Sequence, residues 1–264
     1  TEMIRSISFL SLILLLNSCI SSKGIFIENP QNNENENPYN YDNKIYLSNR
    51  EYFYTYQIVK GNDTLKYKID NDSIFSLIKY NSKDDKAIDL LSIKALKAKG
   101  PIFQDHPDYS QTEIILSHLN SDKKTITSEL TGVIENSTNV WLHPFRMNAF
   151  QILQFAPFPY VKPNESKKYK WNLEIGEHWK ELKDITWKGQ LNLKCVYENT
   201  LKEKKIILPS GIVNTIETRS NCSSKIGKTY LTSYFNEQLG FVRLEYLLPK
   251  DEKIIISLEK IDNK

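Results

Sequence analysis

The sequence predicts a mainly β fold, a β-rich α+β chain built on one large curved antiparallel sheet or half-open barrel with one or two short helices. Two observations carry this. Over residues 185–198, Ile185, Trp187, Leu191, Leu193, Cys195 and Tyr197 fall on one side of an extended chain. Thr186, Lys188, Gln190, Asn192, Lys194 and Glu198 fall on the other. That period of two marks a long strand with one buried face. From residue 204 onward, short runs rich in Ile, Val, Thr and Tyr alternate with turn-forming residues, as in a meander.

The N-terminal elements concern location. Met3 reads as the start, followed by Arg5 and an apolar run over residues 7–16. Ten residues suit the core of an export signal and are too few to span a bilayer as a helix. The run ends Leu16-Asn17-Ser18-Cys19, which resembles the bacterial lipobox, although Asn17 departs from the small or aliphatic residue usual there. The resemblance implies that residues 1–18 are removed and that Cys19 carries lipid, palmitate included, on its sulfur and amine. Each buried CH₂ adds ~0.8 kcal/mol, and more than one chain makes such anchoring stable. Residues 19–44 follow as a tether: after Glu28 most positions are Asn, Glu, Pro or Asp, which bury too little to offset their ordering entropy.

A single domain is expected over residues 45–264. Residues 52–59 read as a strand returning through Gly61-Asn62-Asp63 into residues 65–69. Residues 84–99 place Ala87, Leu90, Leu91, Ile93, Leu96 and Ala98 at mixed helical spacing before Gly100-Pro101, and predict a helix. Residues 111–120 and 124–133 flank Ser121-Asp122-Lys123 as a hairpin. Residues 141–163 are aromatic and interrupted by proline, with a helical turn over 148–155. Proline withholds a donor from a ladder, so this is not a central strand. Its aromatics Trp141, Phe145, Phe150, Phe155, Phe158 and Tyr160 are expected to plug one end of the sheet, as cup lining or as a surface patch. A hairpin centred on Pro209-Ser210 brings Cys195 within a couple of residues of Cys222. An exported chain permits a disulfide there, and two buried free thiols are the alternative. Residues 229–235, 241–248 and 254–261 form a three-stranded meander.

Two stretches look familiar. Leu208-Pro-Ser-Gly-Ile-Val-Asn-Thr-Ile-Glu, with Gly227-Lys-Thr-Tyr-Leu-Thr-Ser-Tyr-Phe-Asn-Glu-Gln-Leu-Gly-Phe-Val-Arg, resembles a pattern in exported proteins of Gram-negative bacteria. The segment from Trp141-Leu-His-Pro-Phe-Arg to Pro157-Phe-Pro is similar to lipoproteins of Bacteroidota. The resemblance covers about half the chain and implies a curved antiparallel sheet, with no activity attached. It also implies O-glycosylation at Asp-Ser/Thr-apolar triplets, here Thr64 and Ser73.

Composition narrows the partners. Net charge is +3 with 25% charged residues, which predicts no electrostatic grip on nucleic acid. The four histidines show no metal-ligand spacing with one another or with the cysteines. Asp105-His106-Pro107-Asp108 holds an imidazole between carboxylates, or is a polar loop. Glu177 and His178 are neighbours that a strand would point apart. His143 and Arg146 suit an anion, or an arginine capping a satisfied histidine. Ser210 lacks the Gly-x-Ser-x-Gly setting of a nucleophile. The expectation is therefore a non-enzymatic envelope protein with no cofactor, held to the membrane through Cys19, on either face of the outer membrane. Its concave sheet binds an apolar or extended ligand, or the chain is a structural component of an outer-membrane complex acting through protein contacts.

Overall fold

The computed structural model describes residues 43–71, 74–96, 111–165, 168–175, 181–182, 185–186, 190–200 and 203–263. Cys19, the signal segment, Ser73, Asp105, His106, Asp108, Glu177 and His178 lie outside them. Asn43 and Lys44, assigned from sequence to the tether, belong to the packed chain. The Asn43 side chain is buried and donates to the Tyr46 carbonyl at 3.2 Å and to Thr112 Oγ1 at 3.1 Å.

The strands are β1 (Arg50–Lys60), β2 (Asp63–Asn71), β3 (Ile74–Lys79), β4 (Leu90–Ala95), β5 (Thr112–Leu119), β6 (Thr125–Glu135) and β7 (Val140–Leu142). After a 3₁₀ helix at Asn148–Phe155 come β8 (Tyr160–Val161), β9 (Tyr169–Ile175), β10 (Glu181–Leu182), β11 (Ile185–Thr186) and β12 (Leu191–Asn199). The chain ends with β13 (Lys204–Leu208), β14 (Gly211–Ser224), β15 (Gly227–Asn236), β16 (Gly240–Leu247), a short 3₁₀ turn at Pro249–Asp251, and β17 (Lys253–Asn263). The main sheet runs β8-β7-β6-β5-β4-β1-β17-β16-β15-β14-β12-β9, with β2 and β3 continuing from β1 and β13 from β14. Every ladder among them is antiparallel.

The sheet is mostly β, antiparallel and open, as the sequence predicts. Its two terminal strands, β8 and β9, nevertheless meet. Tyr169 donates through its hydroxyl to the Tyr160 carbonyl at 3.2 Å, and the two rings stand edge to face at 5.0 Å. Side chains, not a ladder, join these strands among the described residues. Register shifts at Phe53/Tyr54, His118/Leu119 and Tyr234/Phe235 add curl along the way.

Alternation sets the inner face. Tyr52, Tyr54, Tyr56 and Ile58 on β1, Ile254, Ile256 and Leu258 on β17, and Val242, Leu244 and Tyr246 on β16 are all buried. The inner side chains of β12 are Leu191, Leu193, Cys195 and Tyr197, while Asn192, Lys194 and Glu198 are exposed, as the sequence pattern requires. That strand is shorter than predicted: Ile185–Thr186 instead pairs with Glu181–Leu182 in a separate small ladder. Cys195 and Cys222 are directly opposite in the β12–β14 register, with Cα atoms 4.1 Å apart, and are disulfide-bonded. Closing a loop of this length contributes ~3 kcal/mol in the chain-entropy account.

The helix expected over residues 84–99 is not formed in its described part. Leu90–Ala95 is a strand with neighbours on both sides, Ile93 standing opposite Tyr52 on β1 and Leu116 on β5. Leu91, Ser92 and Ile93 are all buried, so polar alternation is missing and the apolar run imitates helical spacing. Upstream, Asp84 closes a turn, its Oδ1 accepting from the Lys86 amide at 2.9 Å. The helical turn predicted over 148–155 is present, as 3₁₀ helix.

A buried carboxylate pins the start of the domain. Glu135 accepts from three successive amides, Lys44 at 2.8 Å, Ile45 at 3.0 Å and Tyr46 at 3.0 Å. The Tyr52 hydroxyl donates to the Ile45 carbonyl from the other side. Gly240, at φ +77°, completes this corner: a Cβ there would come within 2.9 Å of Ile45 Cγ2 and Tyr46 Oη.

Candidate functional site

The six aromatics singled out in the sequence are interior side chains, each 3% exposed or less. They divide between two packed clusters. Phe145 and Phe150 join the larger one, where Phe145 meets Tyr54 at 6.1 Å and Phe150 meets Tyr56 at 4.9 Å and Tyr67 at 5.1 Å. Trp141, Phe155, Phe158 and Tyr160 join the smaller one behind the seam between β8 and β9. They are packed interior side chains and form no open surface patch.

Edge-to-face contacts dominate at the seam. Trp141 meets Trp171 at 5.2 Å, Phe158 meets Trp171 at 5.5 Å, and Tyr160 meets Tyr197 at 5.2 Å. Tyr169 and Tyr197 stack at 5.4 Å with planes 4° apart. Such pairs add ~0.5–1.5 kcal/mol beyond the area they bury. Burial pushes the Tyr160, Tyr169, Tyr197 and Tyr246 hydroxyls above the usual phenol range, so all stay protonated donors. Two buried donors, Trp141 Nε1 in this cluster and the Tyr246 hydroxyl in the larger one, have no hydrogen-bond partner.

A polar island adjoins the aromatic wall. Arg146 donates through Nη1 to His143 Nδ1 at 3.0 Å and Gln154 Oε1 at 3.2 Å, and through Nη2 to Thr131 Oγ1 at 3.2 Å. Its Nε lies 3.5 Å from Glu129. The guanidinium is thus committed to internal side chains, and His143 Nδ1 is satisfied by it. An arginine only donates, so His143 Nδ1 accepts and Nε2 carries the proton. Burial first, then the Arg146 charge, pushes the His143 pKa well below the ordinary histidine value. Burial pushes Glu129 up, against the pull of Arg146.

His118 shares this condition on the far side of the interior. It lies 5.0 Å from the Phe150 ring, with Thr127 Oγ1 3.1 Å from Nδ1, and burial lowers its pKa from 6.5 to about 4. A lowered folded pKa means that the unfolded chain binds the proton first. The His118 contribution is complete above pH 6.5 and is lost as pH falls towards 4, by about 3 kcal/mol in all. His143 acts in the same direction. Glu129, with its raised pKa, opposes them, adding stability as pH falls through its folded value. Urea midpoints measured from pH 7 to pH 4 should therefore fall, and His118→Gln should remove part of that slope. An unchanged slope would mean that His118 is hydrated in solution.

Ser210 is exposed in the two-residue β13–β14 turn, with no histidine or carboxylate bonded to it among the described residues. Thr64 is exposed near the β1–β2 turn. No cluster of three or more metal-binding side chains occurs among the described residues. Sequence reading missed Tyr169, Trp171 and Tyr246. The run Tyr169, Trp171, Leu173, Ile175 alternates with Lys170, Asn172 and Glu174, a signal as clear as that of β12.

No family model and no curated protein matches this chain. Three solved structures align with most of this chain. A chain from Parabacteroides distasonis, designated a lipoprotein, aligns with 82% of this chain and 96% of its own at 10% identity and TM-score 0.49. An exported protein of Bacteroides fragilis described as having a YmcC-like fold covers 82% of this chain and 97% of its own at 12% identity and TM-score 0.39. The hypothetical lipoprotein YmcC of Escherichia coli covers 87% and 90% at 9% identity and TM-score 0.33.

Proposed function

We propose that this chain is a lipid-anchored protein of the outer membrane whose wrapped sheet is a non-catalytic binding domain for an apolar or extended ligand. The anchor rests on the lipobox-like Leu16-Asn17-Ser18-Cys19, and the disulfide suits an oxidising compartment. The observation that carries the binding role is the pair of unpartnered donors, Trp141 Nε1 and the Tyr246 hydroxyl, inside an aromatic interior. A buried donor without an acceptor costs ~1–3 kcal/mol. An apolar ligand carrying an acceptor oxygen would satisfy such a donor and lie against the neighbouring ring faces.

The test is mass spectrometry of solvent extracts from the full-length protein purified from membranes. A stoichiometric apolar compound is expected, depleted severalfold in Trp141→Phe and Tyr246→Phe variants. A compound retained equally by both variants, or none at all, would refute the interior site. Mass spectrometry should find acyl chains on the N-terminal peptide of the wild type and none in Cys19→Ala; an unacylated wild type would refute the anchor independently.

A further inference from the structure

We infer that the β13–β14 hairpin is a second membrane contact, its apolar face seated in the headgroup and upper acyl region of a lipid surface. Ile207 and Ile212 are 79% and 66% exposed, and they stand opposite each other across the ladder next to the Pro209-Ser210 turn. The other face of the hairpin is occupied: Ile206 and Val213, also a cross-strand pair, pack on the main core beside buried Leu208. Period two thus divides the hairpin into a face that holds it to the domain and a face whose two isoleucines are exposed.

Size and charge favour lipid. Two isoleucines and a proline fall far short of the ~800 Å² per partner of an ordinary protein interface. They suit a wedge entering ~5–10 Å into a membrane surface. Lys204 and Lys205 are exposed at the base of the same hairpin, where long basic side chains reach phosphate headgroups while their stems lie along apolar surface. Glu217 is buried, paired with Arg219 at 2.7 Å and 3.9 Å from Lys204 Nζ, so Lys205, on the same face as Ile207, is the basic side chain offered to headgroups, while Glu203 and Glu237 stand in the flanking loop and neighbouring turn.

The chain also enters the domain at this end. Asn236 donates through Nδ2 to the Asn214 carbonyl at 2.9 Å, and its Oδ1 accepts from the amides of Gln238 and Leu239 in the β15–β16 turn. On the other side of that turn, Arg50 Nη1 donates to the Gln238 carbonyl at 3.4 Å and to the Lys44 carbonyl at 3.2 Å. Cys19 lies about 25 residues before this point. Tether exit and apolar hairpin therefore share one side of the domain. In its biological setting the inference rests on the anchored reading of Cys19, but its test does not.

With Cys195 and Cys222 bonded to each other, Cys19 is the one remaining thiol among the chain's three cysteines. The unacylated full chain, made by cell-free synthesis under oxidising conditions, can be coupled through it to maleimide-bearing lipid in vesicles of phosphatidylethanolamine and phosphatidylglycerol. An Ile207→Trp variant then reports depth by quenching from lipids brominated along the acyl chain, after subtraction of the unsubstituted protein's signal. The introduced indole should lose about half its emission to shallow bromines, and adding Ile212→Lys should abolish that loss. Emission insensitive to bromine at every depth would overturn the inference. So would an indole that bromine leaves unquenched and that shifts only when solubilised envelope proteins are added, which would assign the pair to a protein partner.

Discussion

Replacing Trp141 with alanine is expected to lower the unfolding free energy by about 3–5 kcal/mol, the cost of deleting a large buried aromatic from a packed interior. Trp141 is fully buried. It stands opposite Ile134 on β6 and Tyr160 on β8, so its indole bears on both neighbours of β7. Beyond its own sheet neighbours it meets Trp171 of β9 at 5.2 Å and His143 at 5.1 Å. It is thus one of the side chains through which the two ends of the sheet touch. Equilibrium urea unfolding with an unchanged slope gives the loss directly. Trp141→Phe keeps most of the apolar volume and deletes a donor that has no partner in the protein. It should cost under about 2 kcal/mol, since no intramolecular hydrogen bond is lost. A loss below about 1 kcal/mol for alanine would mean that the interior is loosely filled, and the aromatic wall would lose its claim to fix the seam.

The contrast between these two substitutions separates a stability role from a binding role at one residue. The alanine variant reports on packing across β6–β9. The phenylalanine variant reports on the indole N–H alone, so ligand loss without matching loss of stability would place an acceptor at Nε1.

Local alternation made much of the sheet legible. The burial of Leu191, Leu193, Cys195 and Tyr197 follows from β12 alone, and the two-residue Pro209-Ser210 turn fixed a register close enough to bring the cysteines together. Residues 90–95 misled because a strand buried on both faces has no polar side to mark its period. The meeting of β8 with β9 was hidden for a different reason. It depends on how far a twelve-strand path curls, and that curl accumulates from bulges at Phe53, His118 and Tyr234 that no local pattern announces. Polar anchors were equally silent. Glu135 reads as one more surface carboxylate until the fold places three amides around it. Trp141 and Phe158 were legible as important aromatics, but the residue that faces them, Trp171, follows a loop and belongs to a strand at the opposite edge of the path.

Asn199 is the polar counterpart of Trp141 at the seam, and Asn199→Ala is expected to cost about 3 kcal/mol. Its Nδ2 donates to the carbonyls of Lys162 and Glu165, both at 2.7 Å, in the loop that joins β8 to β9. Its Oδ1 accepts from the Tyr169 hydroxyl at 3.1 Å and from Thr218 Oγ1 at 2.8 Å. One buried amide therefore ties the end of β12 to that loop, to β9 and to β14. Alanine leaves two carbonyls and the Thr218 hydroxyl to find other partners, the Tyr169 hydroxyl keeping the Tyr160 carbonyl, and each group left unsatisfied costs ~1–3 kcal/mol. Water entering from the loop side relieves some of this, which holds the total near the lower end of the sum. Asn199→Asp sharpens the test, because a carboxylate still accepts from Tyr169 and Thr218 but cannot donate to the two carbonyls. If the clasp works through the donated bonds, aspartate should be no better than alanine at pH 7, and amides of β9 should exchange with solvent severalfold faster in both variants. An aspartate variant as stable as the wild type would mean that the seam is held by the rings alone.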